Sequence, residues 1–263
     1  MLGSAALLIA SFPSFTQPWC AWIALVPWLL MLRRLRGRVA FGWSWLVGFL
    51  FFLGSLWWLA HLTRFGGPAA ILGWLALSAY LALFFGAFGW IAGRTASWAM
   101  SERMWLLPAG WAGLEYLRSP LCSGLGWNLL AYSQSPWLPV IQMAELTGAW
   151  GVSWLIVFVN TAIADAWSWR TGRLAPLATA AGMVALALGY GFWRLPQVDR
   201  PSGGMRLAVV QGNIPQESKW DEAFQDSILE RYETLTRQAA RAHPGMIVWP
   251  ETVIGGSKER SIS

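Results

Sequence analysis

The sequence predicts a polytopic α-helical membrane region of about seven transmembrane helices, followed by a βαβ unit that opens a soluble α/β domain. Three observations carry this. Of the 263 residues, 56% are apolar and 12% are charged, about half of the roughly 25% charged fraction of an ordinary soluble domain. The average also hides a break: residues 1–200 hold 5 acids, 12 arginines, no lysine and 19 of the 21 tryptophans. Residues 201–263 hold 8 acids and 7 bases, so the net charge of +6 divides into +7 and −1. Third, long apolar runs stop near residue 193, and shorter strand-like and helix-like patterns follow. This composition excludes a disordered chain, a basic nucleic-acid-binding tail and a standard cytosolic enzyme.

A bilayer core takes about 20 mostly apolar residues per helix, because backbone groups left unpaired in lipid are costly. Apolar runs between charged or turn-rich breaks give seven segments, at 2–16, 19–32, 40–60, 69–92, 104–118, 138–166 and 174–193. The first is short. The fifth is short too and carries Pro108 and Glu115. Arginines set the orientation. Arg33, Arg34, Arg36 and Arg38, then Arg94 and Arg103, then Arg170 and Arg173 occupy alternate loops, whereas the other loops hold only Arg64 and Arg118. Eight against two, on loops short enough for the positive-inside rule, places the N-terminus in the cytoplasm and everything after Arg194 outside. The N-terminus has no basic leader and no small-residue cleavage site, so no removable signal peptide is expected.

Within this region the tryptophans near segment ends (Trp19, Trp22, Trp57, Trp58, Trp137, Trp167, Trp169) suit the headgroup layer. Gly89-Trp90-Ile91-Ala92-Gly93 is a GxxxG, which lets two helices approach closely. A single match in a Gly-rich chain reads as internal packing before it reads as a dimer seam. Glu115 and Glu145 are more telling, since a carboxylate in a span usually faces a wet cavity or a partner. They flank the outside loop 119–137, which is polar enough to line a pocket and apolar enough to dip into the leaflet. A packed loop without chemistry fits it equally well. Cys20 and Cys122 show no metal-ligand spacing and read as small apolar residues near helix ends. A disulfide between them would need both on the oxidising side.

The soluble part begins after a linker at 194–204 (RLPQVDRPSGG) with two prolines and a Gly-Gly stop. Arg206–Gln211 reads as a buried strand and Gly212-Asn213-Ile214-Pro215 as its turn. From Asp221 to Ala242, Phe224, Ile228, Tyr232, Leu235 and Ala239 form one apolar stripe of an amphipathic helix. His243-Pro244-Gly245 ends it, with His243 a solvated helix-end residue. Met246–Trp249 is a second buried strand, leading to Pro250-Glu251-Thr252. Strand, crossover helix, strand is a βαβ unit whose parallel strands end on one edge, where ligands of open α/β sheets bind. Gln211-Gly212-Asn213 and Glu251 stand at those ends. Glu251 follows a buried strand and a proline, a partly desolvated setting that suits a general base. A strand-end Glu facing water fits the same pattern.

Gln211–Gln216 (QGNIPQ), Lys219-Trp220-Asp221 and Ile247–Thr252 (IVWPET) are similar to the apolipoprotein N-acyltransferase family. So are Glu115-Tyr116-Leu117-Arg118, Tyr132-Ser133-Gln134 and the arrangement of spans. The resemblance covers essentially the whole chain, and the spaced combination is specific where any one piece is weak. It implies a bacterial inner-membrane enzyme with a periplasmic nitrilase-like (carbon–nitrogen hydrolase) α/β domain. Such an enzyme takes an acyl chain from a phospholipid, typically phosphatidylethanolamine, onto a Cys as a thioester. The acyl group then passes to the α-amino group of the diacylglyceryl-Cys that begins an apolipoprotein. The family triad is Glu, Lys and Cys. Glu251 matches the Glu, the base that takes the thiol proton and later assists the amine. Trp220 matches a Trp that positions substrate. The resemblance implies no cofactor and no metal.

The sequence departs from that pattern after Glu251. The family Lys and Cys lie far downstream, Lys258 is too near to be that Lys, and Cys20 and Cys122 precede the domain. The residues after Thr252 lose the usual apolar and proline character. Residues 205–263 therefore read as the N-terminal portion of the nitrilase-like domain, following a transmembrane domain over 1–193, and the chain as truncated and inactive alone. Two other classes remain. A polytopic transporter would explain the spans with Glu115 and Glu145, but not QGNIPQ or WPE. A non-catalytic membrane scaffold or relic would explain the missing half.

Overall fold

The computed structural model of the chain describes residues 1–121, 124–168, 174–198, 204–219 and 221–250. They fall into two units, Met1–Asp199 and Arg200–Ser263.

The first unit is helical. Its elements are α1 (Leu2–Ser11), α2 (Ala21–Ala24), α3 (Val26–Leu32), α4 (Gly37–Ser55), α5 (Thr63–Gly66), α6 (Ala69–Arg94), α7 (Met100–Arg118), α8 (Leu138–Ile141), α9 (Ala144–Ser168) and α10 (Leu174–Val198). Short 3-10 turns at Pro18–Cys20, Trp57–Leu62, Thr95–Ser97 and Leu130–Gln134 join them. Four helical stretches among the described residues are long and apolar enough to cross a membrane: Gly37–Ser55, Ala69–Ser97, Ala144–Ser168 and Leu174–Gln197. At 1.5 Å per residue the shortest of these reaches about 28 Å, close to the hydrocarbon thickness. The other three expected spans are weaker. Leu2–Ser11 and Pro18–Leu32 are shorter apolar helices. α7 has the length, but it carries Glu102, Arg103, Glu115 and Arg118, of which the last three are buried.

Two of the expected segments are broken. Pro27 has no N–H and its ring crowds the preceding turn, so 19–32 divides into α2 and α3 at Leu25. The segment 138–166 divides into α8 and α9, and α9 itself kinks at Gly148, with φ 66° and ψ −178°. That left-handed conformation favours glycine. α10 runs on through Pro196 to Val198, so the residues read as the start of a linker are helical.

The most extensive helix–helix seam lies between α4 and α6. A Cβ at Gly93 would lie 2.9 Å from the Leu35 carbonyl oxygen and 3.0 Å from Ala40 Cβ, and one at Gly89 would overlap Ser44. The GxxxG therefore serves internal packing. Trp28, fully buried, fills the centre. Its ring stacks on Phe85 at 5.5 Å and meets Trp111 edge-on at 6.1 Å, and its Nε1 donates to Ser44 Oγ at 3.0 Å. Trp19, Trp57, Trp58, Trp137 and Trp167 are all exposed, as headgroup-level residues would be. Trp22 instead turns inward to Gln134, and Trp169 lies outside the described residues.

The second unit holds β1 (Leu207–Val209), α11 (Gln216–Lys219), a 3-10 turn at Glu222–Phe224, α12 (Gln225–Ala240) and β2 (Met246–Val248). β1 and β2 are parallel, with Leu207 opposite Met246, Ala208 opposite Ile247 and Val209 opposite Val248. Strand, helix and parallel strand thus follow in the expected order. Ile228 and Tyr232 of α12 pack with Val210 and, around them, Leu235, Ala239, Ile247 and Trp249. Phe224 leaves the predicted stripe because the 3-10 turn changes the helical phase before α12 begins, and it is exposed. The strands are not buried on both sides as their apolar sequence suggests. α12 covers one face only, and Leu207, Val209, Met246 and Val248 point to the other, Val209 at 77% exposure.

Candidate functional site

At the C-terminal edge of the two strands the chain is fixed by small contacts. Val210 N–H donates to the Val248 carbonyl at 3.0 Å, carrying the pairing one residue past β1. Gly212 then passes against Tyr232, where a Cβ would stand 2.5 Å from the ring carbon bearing the hydroxyl. A side chain there would have to push the Tyr232 ring aside. Asn213 follows at φ 50°, a conformation that Asn tolerates better than most residues. On β2, Trp249 Nε1 donates to Thr236 Oγ1 at 2.9 Å, and its ring lies 5.4 Å from that of Tyr232. The residues that lead to the WPE glutamate are thereby tied to α12. Glu251 and Trp220, the two site residues expected from the sequence, lie outside the described residues, as do Lys258 and Cys122. Cys20 is a buried free thiol. His243 is exposed at φ 48° just past α12, a helix-end position as expected.

In the helical unit the two acids that bracket the loop 119–137 have different surroundings. Glu115 is buried at 6% exposure. Its Oε1 accepts the Leu130 N–H at 2.8 Å, and Ser153 Oγ of α9 accepts the next amide, Ala131, at 2.9 Å. Asn128 Nδ2 donates to Ser55 Oγ at the end of α4 at 2.7 Å. Gln134 accepts from Trp22 Nε1 at 3.0 Å and donates to the Pro18 carbonyl at 2.9 Å. Four buried or half-buried side chains thus pin residues 128–134 to α4, α7, α9 and the start of α2. Residues 128–134 of the loop are packed against the helices, and Asn128 and Leu130 among them also line an apolar cleft. That cleft is lined further by Phe51, Phe85 and Trp111, with Glu115 and Arg118 at its polar end. Glu115 Oε2 and Arg118 Nη1 make no hydrogen bond among the described residues. Arg118 lies 5.4 Å from the Phe52 ring centroid, a cation–π distance.

Glu145 is exposed and has a partner. Arg194 Nε and Nη2 donate to its two carboxylate oxygens at 2.6 and 2.7 Å, joining the start of α9 to the end of α10. This fork is the bidentate geometry that arginine favours.

Sequence reasoning passed over two further groups. Asp165, fully buried near the end of α9, accepts from Arg33 Nη1 at 2.9 Å and lies 3.5 Å from Arg103 Nε. Arg103 also donates to the Thr95 carbonyl at 3.0 Å. Asn160, on the same helix, repairs the Pro27 break. Its Oδ1 accepts the Leu25 N–H at 2.8 Å and its Nδ2 donates to the Ala21 carbonyl at 2.9 Å. Those are the two groups that would bond each other in an unbroken helix. Asp165 was findable, since an acid inside an apolar segment carries the same signal as Glu115 and Glu145. Asn160 has no local signal.

Residues 4–162 match the family model of the apolipoprotein N-acyltransferase N-terminal domain. The chain is 36% identical over 262 residues to the apolipoprotein N-acyltransferase of Geobacter metallireducens, covering 95% of this chain and 50% of that protein. To the enzyme of that name from Sinorhizobium fredii it is 35% identical over 266 residues, covering 94% of this chain and 48% of the relative. To that from Brucella suis it is 32% identical over 280 residues, with 95% and 51% covered. The chain spans about half the length of these curated relatives. With a matching model over more than half of its residues, it belongs to the apolipoprotein N-acyltransferase family.

Proposed function

We propose that this chain supplies the membrane domain and the first part of a periplasmic nitrilase-like domain for N-acylation of apolipoproteins. The reaction moves an acyl chain from a phospholipid, of the phosphatidylethanolamine type, to the free amine of an N-terminal diacylglyceryl-Cys by way of a Cys thioester. The observation that carries the reading is the match to relatives named for this activity across 94–95% of the chain. The parallel βαβ unit adds to it, because QGN and the residues entering WPE then share one strand edge.

In this reading Glu251 is the general base. A thiol near pH 7 is only a few per cent thiolate, and the incoming ammonium must also lose a proton, so one carboxylate serves both halves of the transfer. Trp220 positions the substrate. The family Lys would donate to the tetrahedral oxyanion, an interaction of about 3–4 kcal/mol where such donors are removed. Neither that Lys nor the nucleophilic Cys has a counterpart among residues 1–263, so a polypeptide of these residues alone forms no acyl-enzyme. Seven spans with a cytoplasmic N-terminus set the βαβ unit in the periplasm, where the lipoprotein amine is presented.

Acyl labelling tests both statements. Incubated with acyl-labelled phosphatidylethanolamine, a polypeptide ending at Ser263 should carry no hydroxylamine-labile label, and label on Cys20 or Cys122 would refute the assignment. Joined to a C-terminal segment that bears the family Lys and Cys, it should take up label and lose that ability on Glu251→Gln. Undiminished labelling of that variant removes Glu251 from the mechanism.

A further inference from the structure

We propose that one end of the helical unit, where the α3–α4 connection meets the C-terminus of α6, binds the phosphate headgroups of anionic phospholipids through Arg34, Arg38 and Arg94. The contact is separate from acyl transfer and holds for either orientation of the chain in the membrane.

Three contacts bring this end together. Arg36 Nη1 donates to the Gly93 carbonyl at 2.6 Å, placing the 33–38 connection against the last turn of α6. Gly93 itself lies under the Leu35 carbonyl. Arg33 and Arg103 converge on Asp165, so α3 and α9 end, and α7 begins, at the same level.

The positive charge there is only partly compensated among the described residues. Arg33, Arg34, Arg36, Arg38, Arg94 and Arg103 stand against two acids, Glu102 and Asp165. Asp165 is buried and shared by two guanidiniums, and Glu102 caps the Ala99 N–H at 3.0 Å. Arg34, Arg38 and Arg94 are exposed and make no ion pair among the described residues.

The surroundings favour a lipid over a soluble anion. Trp90 is exposed one turn before Arg94, whose guanidinium sits 4.7 Å from its ring centroid. Trp43, Trp98 and Trp105 are exposed near the same end of α4, α6 and α7. A girdle of tryptophans marks headgroup depth, so the arginines beside it stand at the level of the lipid phosphates. Apolar helix faces next to them accommodate the acyl chains of the same molecule. Clusters of arginine next to a span attract anionic lipid by about fivefold per residue near the surface.

The test is lipid retention by the whole purified chain, read by native mass spectrometry with palmitoyl-oleoyl phosphatidylglycerol and the matching phosphatidylethanolamine. Wild type should retain the glycerol lipid about a hundredfold over the zwitterionic one. The preference should fall as salt rises from about 0.05 to 0.5 M, because exposed charges are screened. Arg34→Gln/Arg38→Gln/Arg94→Gln should bring it close to one, and Arg64→Gln, outside this cluster, should leave it unchanged. Should the triple variant fail to fold, each single variant should still lose about fivefold. Equal retention of the two lipids by wild type overturns the proposal, as does a folded triple variant that keeps the preference. Acyl labelling reads a different reaction, so its failure and the failure of this site are distinguishable.

Discussion

In the helical unit, polar side chains are among the best buried: Asp165, Asn160 and Gln134 are fully enclosed and Arg103 nearly so. In the βαβ unit the buried side chains are apolar, Val210, Ile228 and Tyr232, and one sheet face is bare. The difference follows from the solvent each sequence is built for. Between membrane helices apolar contact gains little, since lipid tails are as apolar as leucine, so close glycine seams and polar tethers fix the arrangement. In water a single apolar stripe drives α12 onto the strands, and polar tethers are secondary. Asn160 and Thr236 show the contrast. Asn160 closes a broken helix at the core of its unit, whereas Thr236 merely steadies the Trp249 ring.

The sharpest way to break this comparison is Asp165→Ala. It leaves Arg33 and Arg103 without their shared carboxylate, and removing one partner of a buried ion cluster costs about 3–5 kcal/mol. Unfolding of the whole chain in mixed micelles, followed by tryptophan fluorescence, should show a loss of that size. A loss below about 1 kcal/mol would mean that the cluster opens to solvent in the membrane-embedded protein and does not tether the helices.

Next in size is Tyr232→Ala in the soluble unit. Tyr232 is 5% exposed, faces Gly212 and lies beside Trp249. Truncating a buried aromatic costs about 3 kcal/mol or more. In a unit this small that is enough to open it. Limited proteolysis should then cut between residues 204 and 250 while the helical unit stays resistant. Equal sensitivity of the two units would show that they unfold together.

The apolar segments and the parallel βαβ order were legible because they are repetitive and local: runs of apolar residues, a helical stripe at α12, turn residues between. The breaks at Leu25 and Gly148 were readable in principle from Pro27 and from a glycine in an apolar run. Partners were not legible. Leu25 and Asn160 are 135 residues apart, and Arg33 and Asp165 132 apart. No periodicity encodes such a pairing. The exposed face of β1 and β2 escaped for the opposite reason. An all-apolar strand reads as buried on both faces, and only the packing of α12 shows that one face is covered. Glu251 and Trp220 entered through a spaced motif, which carries a family's chemistry without carrying its geometry.

The smallest expected effect sharpens the comparison within the helical unit itself. Glu145 and Arg194 form the best hydrogen-bonded ion pair among the described residues, with two short bonds, yet the Glu145 side chain is 47% exposed. Exposed pairs gain little, because water solvates both charges almost as well apart. Glu145→Gln should therefore leave the unfolding midpoint where it is and keep a bond from Arg194 to the amide oxygen. Asp165 makes longer contacts with its two arginines, but no water competes for them. If burial decides the worth of a charge, the longer contacts matter and the shorter ones do not. A midpoint shift for Glu145→Gln as large as that for Asp165→Ala would mean that the α9–α10 end is shielded by lipid.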